Sequence, residues 1–435
     1  MSDSIEIQPV MGPLDAATRP PGSKSITNRA LVCAALAEGE SVLRGALDSE
    51  DTRVMVAALG QLGIAVEAAD ENRTLRVTGC GGKIPAEKAE LFVANSGTTM
   101  RFLTALCALG HGTYRLDGIE RMRERPLGDL VDALKQLGAE VECEGAGQCP
   151  PVVVKGRGLR GGSGSIGGGI SSQFLSGLLM AAPYADEPVE LHVAGELVSV
   201  PYVTMTLRVM DAFGGEAAAT ADYSELHVSN ADRYRGGEYA IEPDASAASY
   251  FFAAAAIVGG RVTVEGLSRQ SLQGDVAFCE CLEAMGAKVE YGADSITVEG
   301  WPLDGIDIDM NSISDTVQTL SVVALFALGP TRIRNVGHIR HKETDRIAAT
   351  ATELRKLGAA VTEYEDGLLI EPAKKIPAGA KKIEIATYND HRMAMSFALA
   401  GLKMPNVVIL NPGCVGKTYP EFFRDLGRVV AQTPS

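Results

Sequence analysis

No run in this chain is long and apolar enough to cross a bilayer. The most apolar segments, 247–258 and 320–328, fall short of the ~20 residues a membrane helix needs and read as buried helices. The N-terminal Met1-Ser2-Asp3-Ser4-Ile5-Glu6 is acidic and lacks the apolar stretch of a secretory signal, so none is expected. No CxxC pair occurs. The eight cysteines, at 33, 80, 107, 143, 149, 279, 281 and 414, are scattered, and reduced, mostly buried thiols in a cytoplasmic protein fit them best. The six histidines are isolated and there is no HExxH, so no metal site is expected. Positive charge is in deficit. Forty basic residues against 55 acidic ones leave a net charge of −15, which speaks against nucleic acid as the partner.

What is present suits a large globular chain. At roughly 100–200 residues per domain, 435 residues predict two or three domains. An apolar fraction of 46% with 22% charged residues supports a sizeable core. Against the acidic background, basic residues cluster: Arg121, Arg123 and Arg125 lie together, as do Arg340, Lys342 and Arg346. Arg392 and Lys417 stand in motifs of their own. Any one cluster also reads as a solvated face. Several in an acidic protein point to a small, multiply anionic ligand.

One phrase recurs: a helix end, a Leu-Gly or near equivalent, then a β-prone run. Its glycines are 63, 138, 214, 286, 358 and, in a fragmentary sixth copy, 427, at spacings of 75, 76, 72, 72 and 69. Such regularity marks repeated supersecondary units. A glycine just past a periodic helix takes the left-handed cap, and the β-branched residues after it start a strand. Second strands are expected at 74–79, 152–155, 226–229, 295–299 and 368–371, and helices at 127–137 and 344–357. Proline-marked joints at Thr18-Arg19-Pro20-Pro21-Gly22 and Ile241-Glu242-Pro243-Asp244 divide the units three and three. This predicts one lobe over 22–241 and a second over 1–21 plus 242–435, joined by two crossings, with a cleft between.

Several segments place polar groups where a helix begins. Pro21-Gly22-Ser23-Lys24-Ser25-Ile26-Thr27-Asn28-Arg29 offers backbone N–H groups, with a helix starting near Thr27 and two cations beside it. Asn95-Ser96-Gly97-Thr98-Thr99-Met100-Arg101 and Ser171-Ser172-Gln173-Phe174-Leu175 read likewise. Each is equally an ordinary capped helix. Lys342-Glu343-Thr344-Asp345-Arg346 sets a carboxylate between cations, as proton transfer requires, or forms a surface salt-bridge network. Arg392, within Asn389-Asp390-His391-Arg392, suits a bidentate clamp on a carboxylate or phosphate. Asp315 falls where a loop enters a helix, and a cap is its default reading. Gly156-Arg157-Gly158-Leu159-Arg160-Gly161 matches GxGxxG, but more glycines follow where a dinucleotide site needs a helix. Gly413-Cys414-Val415-Gly416-Lys417-Thr418 has two residues between its glycines where a Walker loop needs four.

Taken in order, these segments resemble the EPSP synthase family of enolpyruvyl transferases. The matching stretches are 21–30, 95–101, 121–134, 171–175, 196–207, 244–255, 342–346, 389–399 and 416–423, which span nearly the whole chain. The resemblance implies a two-lobed α/β fold, an inside-out α/β barrel of six βαβαββ-type repeats, three per lobe. It implies that the 5-hydroxyl of shikimate 3-phosphate attacks C2 of phosphoenolpyruvate while C3 is protonated. A tetrahedral intermediate then loses phosphate, on the way to chorismate and the aromatic amino acids. No cofactor or metal is implied. The partners are the two small substrates, with no nucleic acid and no membrane, and a cytoplasmic monomer is expected.

Carried over residue by residue, the resemblance gives Ser25, Arg29, Ser171, Ser172, Ser199, Tyr202, Asp315 and Lys342 to shikimate 3-phosphate. It gives Gly97, Arg125, Arg346, Arg392 and Lys417 to phosphoenolpyruvate, with Gln173 and Lys24 touching both. Asp315 is implied as the base at the hydroxyl and Glu343 as the acid at the methylene, with Lys24 the third catalytic residue. Lobe closure is expected, because the intermediate must be kept from water. Three positions depart from the common pattern: Phe102 replaces a proline, His338 an asparagine and Ser96 an alanine. Two rival readings remain. The sister enzyme acting on UDP-N-acetylglucosamine has Lys-Asn where Lys24-Ser25 stands, and a reactive loop cysteine. A non-catalytic, anion-binding paralogue should have lost one of Asp315, Glu343, Lys24 or Arg392, and all are present.

Overall fold

The protein was analysed as a computed structural model that describes residues 3–300, 302–372 and 381–432. Its contacts divide the chain into two compact units, Met1–Pro21 with Glu242–Ser435, and Gly22–Ile241. None of the helices among the described residues is long and apolar enough to cross a membrane.

One strand pairing recurs through both units. In residues 88–155, strand Lys88–Phe92 is followed by helix Gly97–Cys107, strand Thr113–Asp117, helix Gly128–Gln136, and the hairpin of Glu140–Cys143 with Val152–Lys155. Lys88–Phe92 runs parallel to Thr113–Asp117. Thr113–Asp117 is antiparallel to Val152–Lys155, and that strand is antiparallel to Glu140–Cys143. The parallel pair needs a helical crossover and the antiparallel pairs need only turns, so the βαβαββ order dictates the sheet.

The same four-stranded order appears twice more in the Gly22–Ile241 unit, centred on strands Glu40–Arg44 and Val189–Ala194. It appears twice in the other unit, centred on Gly260–Glu265 and Thr331–Arg334. A sixth sheet has three strands, with Val407–Leu410 parallel to Ile383–Ile385 and antiparallel to Ser4–Ile7. All six sheets are open. Leu14–Thr18 and Ser4–Ile7, from the start of the chain, complete two sheets built otherwise from residues beyond 242.

The marker glycines act as expected in five copies. Gly63, Gly138, Gly214, Gly286 and Gly358 all have φ between +84° and +107°, which an L side chain resists. The sixth copy is a correction: Gly427 lies inside helix Phe422–Ala431 and no strand follows among the described residues. Ser4–Ile7 occupies the antiparallel place beside the central strand, so no helix-stopping glycine is needed there. The expected second strands form as Thr74–Thr78, Val152–Lys155, Glu225–Val228, Ser295–Gly300 and Gly367–Glu371. The GxGxxG stretch leads into strand Gly162–Gly167 rather than a helix.

Helices buried on all sides lie at the centre of each unit. Ala245–Val258 is apolar around nearly its whole circumference, and Phe251, Phe252 and Ile257 are closed to solvent. Each such side chain contributes about 1.5–3 kcal/mol by leaving water. This accounts for the first apolar run noted in the sequence. The second becomes helix Val317–Val323 and a 3-10 turn, Ala324–Phe326. All eight cysteines are free thiols.

Candidate active site

In the Gly22–Ile241 unit, four helices begin with a serine side-chain cap, and three of these starts carry residues singled out in the sequence; the fourth is Ser49, which caps Glu50–Gln61. Ser23 caps Lys24–Leu36, Ser96 caps Gly97–Cys107 and Ser171 caps Ser172–Ala181. The first helix therefore starts at Lys24, three residues before the expected Thr27, because Ser23 Oγ accepts the Ile26 N–H. A neutral cap leaves the positive end of the helix dipole uncompensated. In the other unit the caps are acids: Asp244 for Ala245–Val258, Asp345 for Arg346–Lys356 and Asp390 for His391–Gly401.

Two of the serine-capped starts are linked to each other. Gln173 accepts a 2.6 Å hydrogen bond from Arg101 and donates to Thr98 at 3.3 Å, joining the first turns of two helices. Arg125 donates to the Asn95 carbonyl at 3.2 Å. Its guanidinium lies against Gly97, where an added Cβ would stand 2.4 Å from a terminal nitrogen of Arg125 and 2.6 Å from one of Arg101. Any side chain at 97 would therefore have to displace these two guanidinium groups. Lys24 is nearly buried, 3.7 Å from Asp51. Ser172 and Ser199 are buried, and Ser199 holds a left-handed backbone (φ 56°) at the start of Val200–Ala212. Strain of this kind collects at functional sites.

Arg29 is deeper than its motif suggested. It is 1% exposed and donates to Thr206, to Ser176, and to the carbonyls of Ser25 and Tyr202. Burial lowers its pKa to about 10. Phe102, one of the departures, sits under this guanidinium, 5.3 Å from ring centre to Cζ. Ser96, another, supplies the cap itself.

The second cluster lies in the other unit. Asp315 is no helix cap; it sits in the 3-10 segment Asn311–Thr316, buried among cations. Its Oδ1 meets Lys342 at 3.3 Å and Arg346 at 3.2 Å, and its Oδ2 meets Arg392 at 2.7 Å. Glu343 lies between Arg346 at 2.8 Å and Lys417 at 3.6 Å. Arg346 is the hub. It is 1% exposed, and its remaining bonds run to both oxygens of Asp390, at 2.8 and 3.2 Å. Burial disfavours its charge, but Asp390, Glu343 and Asp315 more than offset this and hold its pKa above the ordinary value. Burial pushes the Lys342 pKa down. Four cations here face three carboxylates, so one positive charge is in excess.

Two histidines line this cluster. Burial, reinforced by Lys342, drops the His338 pKa to about 3. Burial and Arg392 drop that of His391 well below its ordinary value, and neither His391 ring nitrogen has a hydrogen-bond partner. Both rings are neutral at neutral pH. Sequence reasoning passed over Asp390, Asp51 and Arg101. Asp390 was visible in its motif, but its partner Arg346 is 44 residues away.

A serine-capped cluster with arginines in one unit and a cation–carboxylate cluster in the other, on a fold of five like four-stranded sheets and a three-stranded sixth among the described residues, define a class. Solved structures of the same fold include the EPSP synthase from Acinetobacter baumannii, at 26% identity and TM-score 0.79, covering 98% of each chain. The enolpyruvyl transferase NikO from Streptomyces tendae shares the fold at 19% identity and TM-score 0.78, over 98% of this chain and 97% of that one. The family model for EPSP synthase (3-phosphoshikimate 1-carboxyvinyltransferase) matches residues 10–426, and the chain belongs to that family. A 3-phosphoshikimate 1-carboxyvinyltransferase from Nostoc punctiforme is 50% identical over 431 residues, covering 99% of this chain and all of its own length.

Proposed function

We infer that this chain transfers the enolpyruvyl group of phosphoenolpyruvate to the 5-hydroxyl of shikimate 3-phosphate, releasing phosphate. Family membership and 50% identity over the full length support the reaction. One geometric observation supports the chemistry most directly: a single guanidinium, Arg346, bonds Asp315 through one terminal nitrogen and Glu343 through the other. Two carboxylates are thereby held at fixed positions within one field, as opposite proton movements require.

In this reading the hydroxyl oxygen adds to C2 as Asp315 takes its proton and Glu343 delivers one to C3. The reverse proton movement at C3 then expels phosphate from the tetrahedral intermediate. Arg125, Arg346, Arg392, Lys417 and the Gly97 backbone hold the anionic groups of phosphoenolpyruvate. Ser25, Arg29, Ser171, Ser172, Ser199, Tyr202 and Lys342 serve shikimate 3-phosphate, and Lys24 and Gln173 serve both. The cations offset the repulsion between two ligands that each carry several negative charges. The enzyme works as a cytoplasmic monomer.

Phosphate release from phosphoenolpyruvate, with shikimate 3-phosphate or UDP-N-acetylglucosamine as acceptor, tests the reading. Release with the first alone is expected. Release with the second alone would transfer the chain to the sister activity, and release with neither would overturn catalysis.

A further inference from the structure

Glu353 is fully buried on helix Arg346–Lys356, two turns beyond Arg346. Among the described residues its hydrogen bonds and ion pair go to Ala386, Tyr388 and Lys356, none of them assigned to substrate. Its carboxylate faces the chain leading into the second cluster: Oε2 accepts the Ala386 N–H at 3.1 Å and Oε1 accepts the Tyr388 hydroxyl at 2.7 Å. Lys356 lies 2.6 Å from it and also donates to the Glu384 carbonyl. Three bonds thus tie one face of this helix to residues 384–388.

The tied segment is conformationally costly. Tyr388 and Asn389 both take left-handed backbone, with φ of 53° and 55°. Such residues persist only where their surroundings over-determine them. The chain then reaches Asp390, whose N–H bonds the Thr387 carbonyl and whose Oδ1 caps the Arg392 N–H at 2.9 Å. Asp390 also grips Arg346. Arg346 and Glu353 therefore sit on one helix, and the segment they fix, from Ala386 to Asp390, leads directly into Arg392.

We propose that Glu353 is a positioning residue for the phosphoenolpyruvate-binding cations: by anchoring Ala386 and Tyr388 it holds the left-handed turn that sets Asp390 against Arg346 and Arg392 against Asp315. The Glu353 carboxylate accepts from an N–H and a hydroxyl and lies against an ammonium group, and only the hydroxyl could reverse its role and accept. Glutamine fills the same volume but must turn its NH2 toward one of them. Burial, reinforced by Glu353, raises the Tyr388 pKa to about 12, so the phenol keeps its proton and stays a donor.

The inference rests on the function proposed above for its kinetic reading, and the experiment separates the two. Glu353→Gln and Tyr388→Phe are compared with wild type; Tyr388 is half exposed, so the second variant keeps the fold if the first does not. Hydrogen exchange at the Asp390 and Arg392 amides is expected to speed up in both variants. The KM for phosphoenolpyruvate is expected to rise about tenfold, the loss of one charge-assisted hydrogen bond, with the KM for shikimate 3-phosphate within about twofold of wild type. Unchanged exchange at both amides, or a fall in Tm with both KM values unmoved, overturns the positioning role. If wild type shows no turnover, the function reading fails, and exchange at Asp390 and Arg392 alone decides the role of Glu353.

Discussion

Asp315 and Arg392 are 77 residues apart in sequence and 2.7 Å apart in space, carboxylate to guanidinium. With Lys342 and Arg346 on the other oxygen, Asp315 is the carboxylate around which the cluster closes. Asp315→Ala should lower kcat by about 10²–10⁴-fold, the contribution of a positioned base. Shikimate 3-phosphate affinity should hold, because removing the carboxylate adds to the excess of positive charge. Loss of folding, or of shikimate 3-phosphate binding measured by calorimetry, would make Asp315 structural instead.

The contact between Gly97 and Arg125 predicts a selective defect. Gly97→Ala suits a helix start better than glycine does, so Tm should not fall. The new methyl must displace the Arg125 guanidinium that lies 2.4 Å from its position. The KM for phosphoenolpyruvate should rise about tenfold or more, equivalent to ~1.4 kcal/mol and above. Steady-state kinetics with each substrate varied in turn checks this, and an unchanged KM would mean that Arg125 does not hold that ligand.

His338 predicts a pH dependence of stability. Its folded pKa is about 3 and its unfolded value 6.5, so below pH 6.5 the unfolded chain takes up a proton that the folded chain refuses. The contribution is fully present above 6.5 and is lost as pH falls toward 3. At 1.36 kcal/mol per pH unit this is about 2 kcal/mol between pH 6.5 and 5. Urea unfolding at pH 7 and pH 5 should show His338→Asn losing less stability than wild type by about that amount. Parallel losses in the two proteins would contradict it.

The parts of the molecule that the sequence disclosed are those governed locally. A glycine past a helix end, a serine three residues ahead of an N–H and an apolar run each act within one or two turns. The five marker glycines and the serine caps at 23, 96 and 171 could therefore be read directly. What stayed hidden depends on partners distant in sequence. Gly427 looked like a sixth marker, yet the strand it should precede comes from the other end of the chain. Asp315 looked like a cap because its three cations lie 27, 31 and 77 residues ahead. The depth of Arg29 was not legible because Ser176 and Thr206, to which it donates, are 147 and 177 residues away.

The two strands donated by the start of the chain also order its synthesis. Ser4–Ile7 leaves the ribosome about 400 residues ahead of its partner Val407–Leu410. At about 5–20 residues per second the wait is roughly 20–80 s. Every sheet of the Gly22–Ile241 unit can be completed within that interval. Throughout it Ser4–Ile7 holds a bare strand edge open to mispairing, and Leu14–Thr18 does so until its partner Gly260–Glu265 is made. These two strands, far in sequence from Asp315 and Arg392, are therefore where a chaperone has an edge to protect during synthesis.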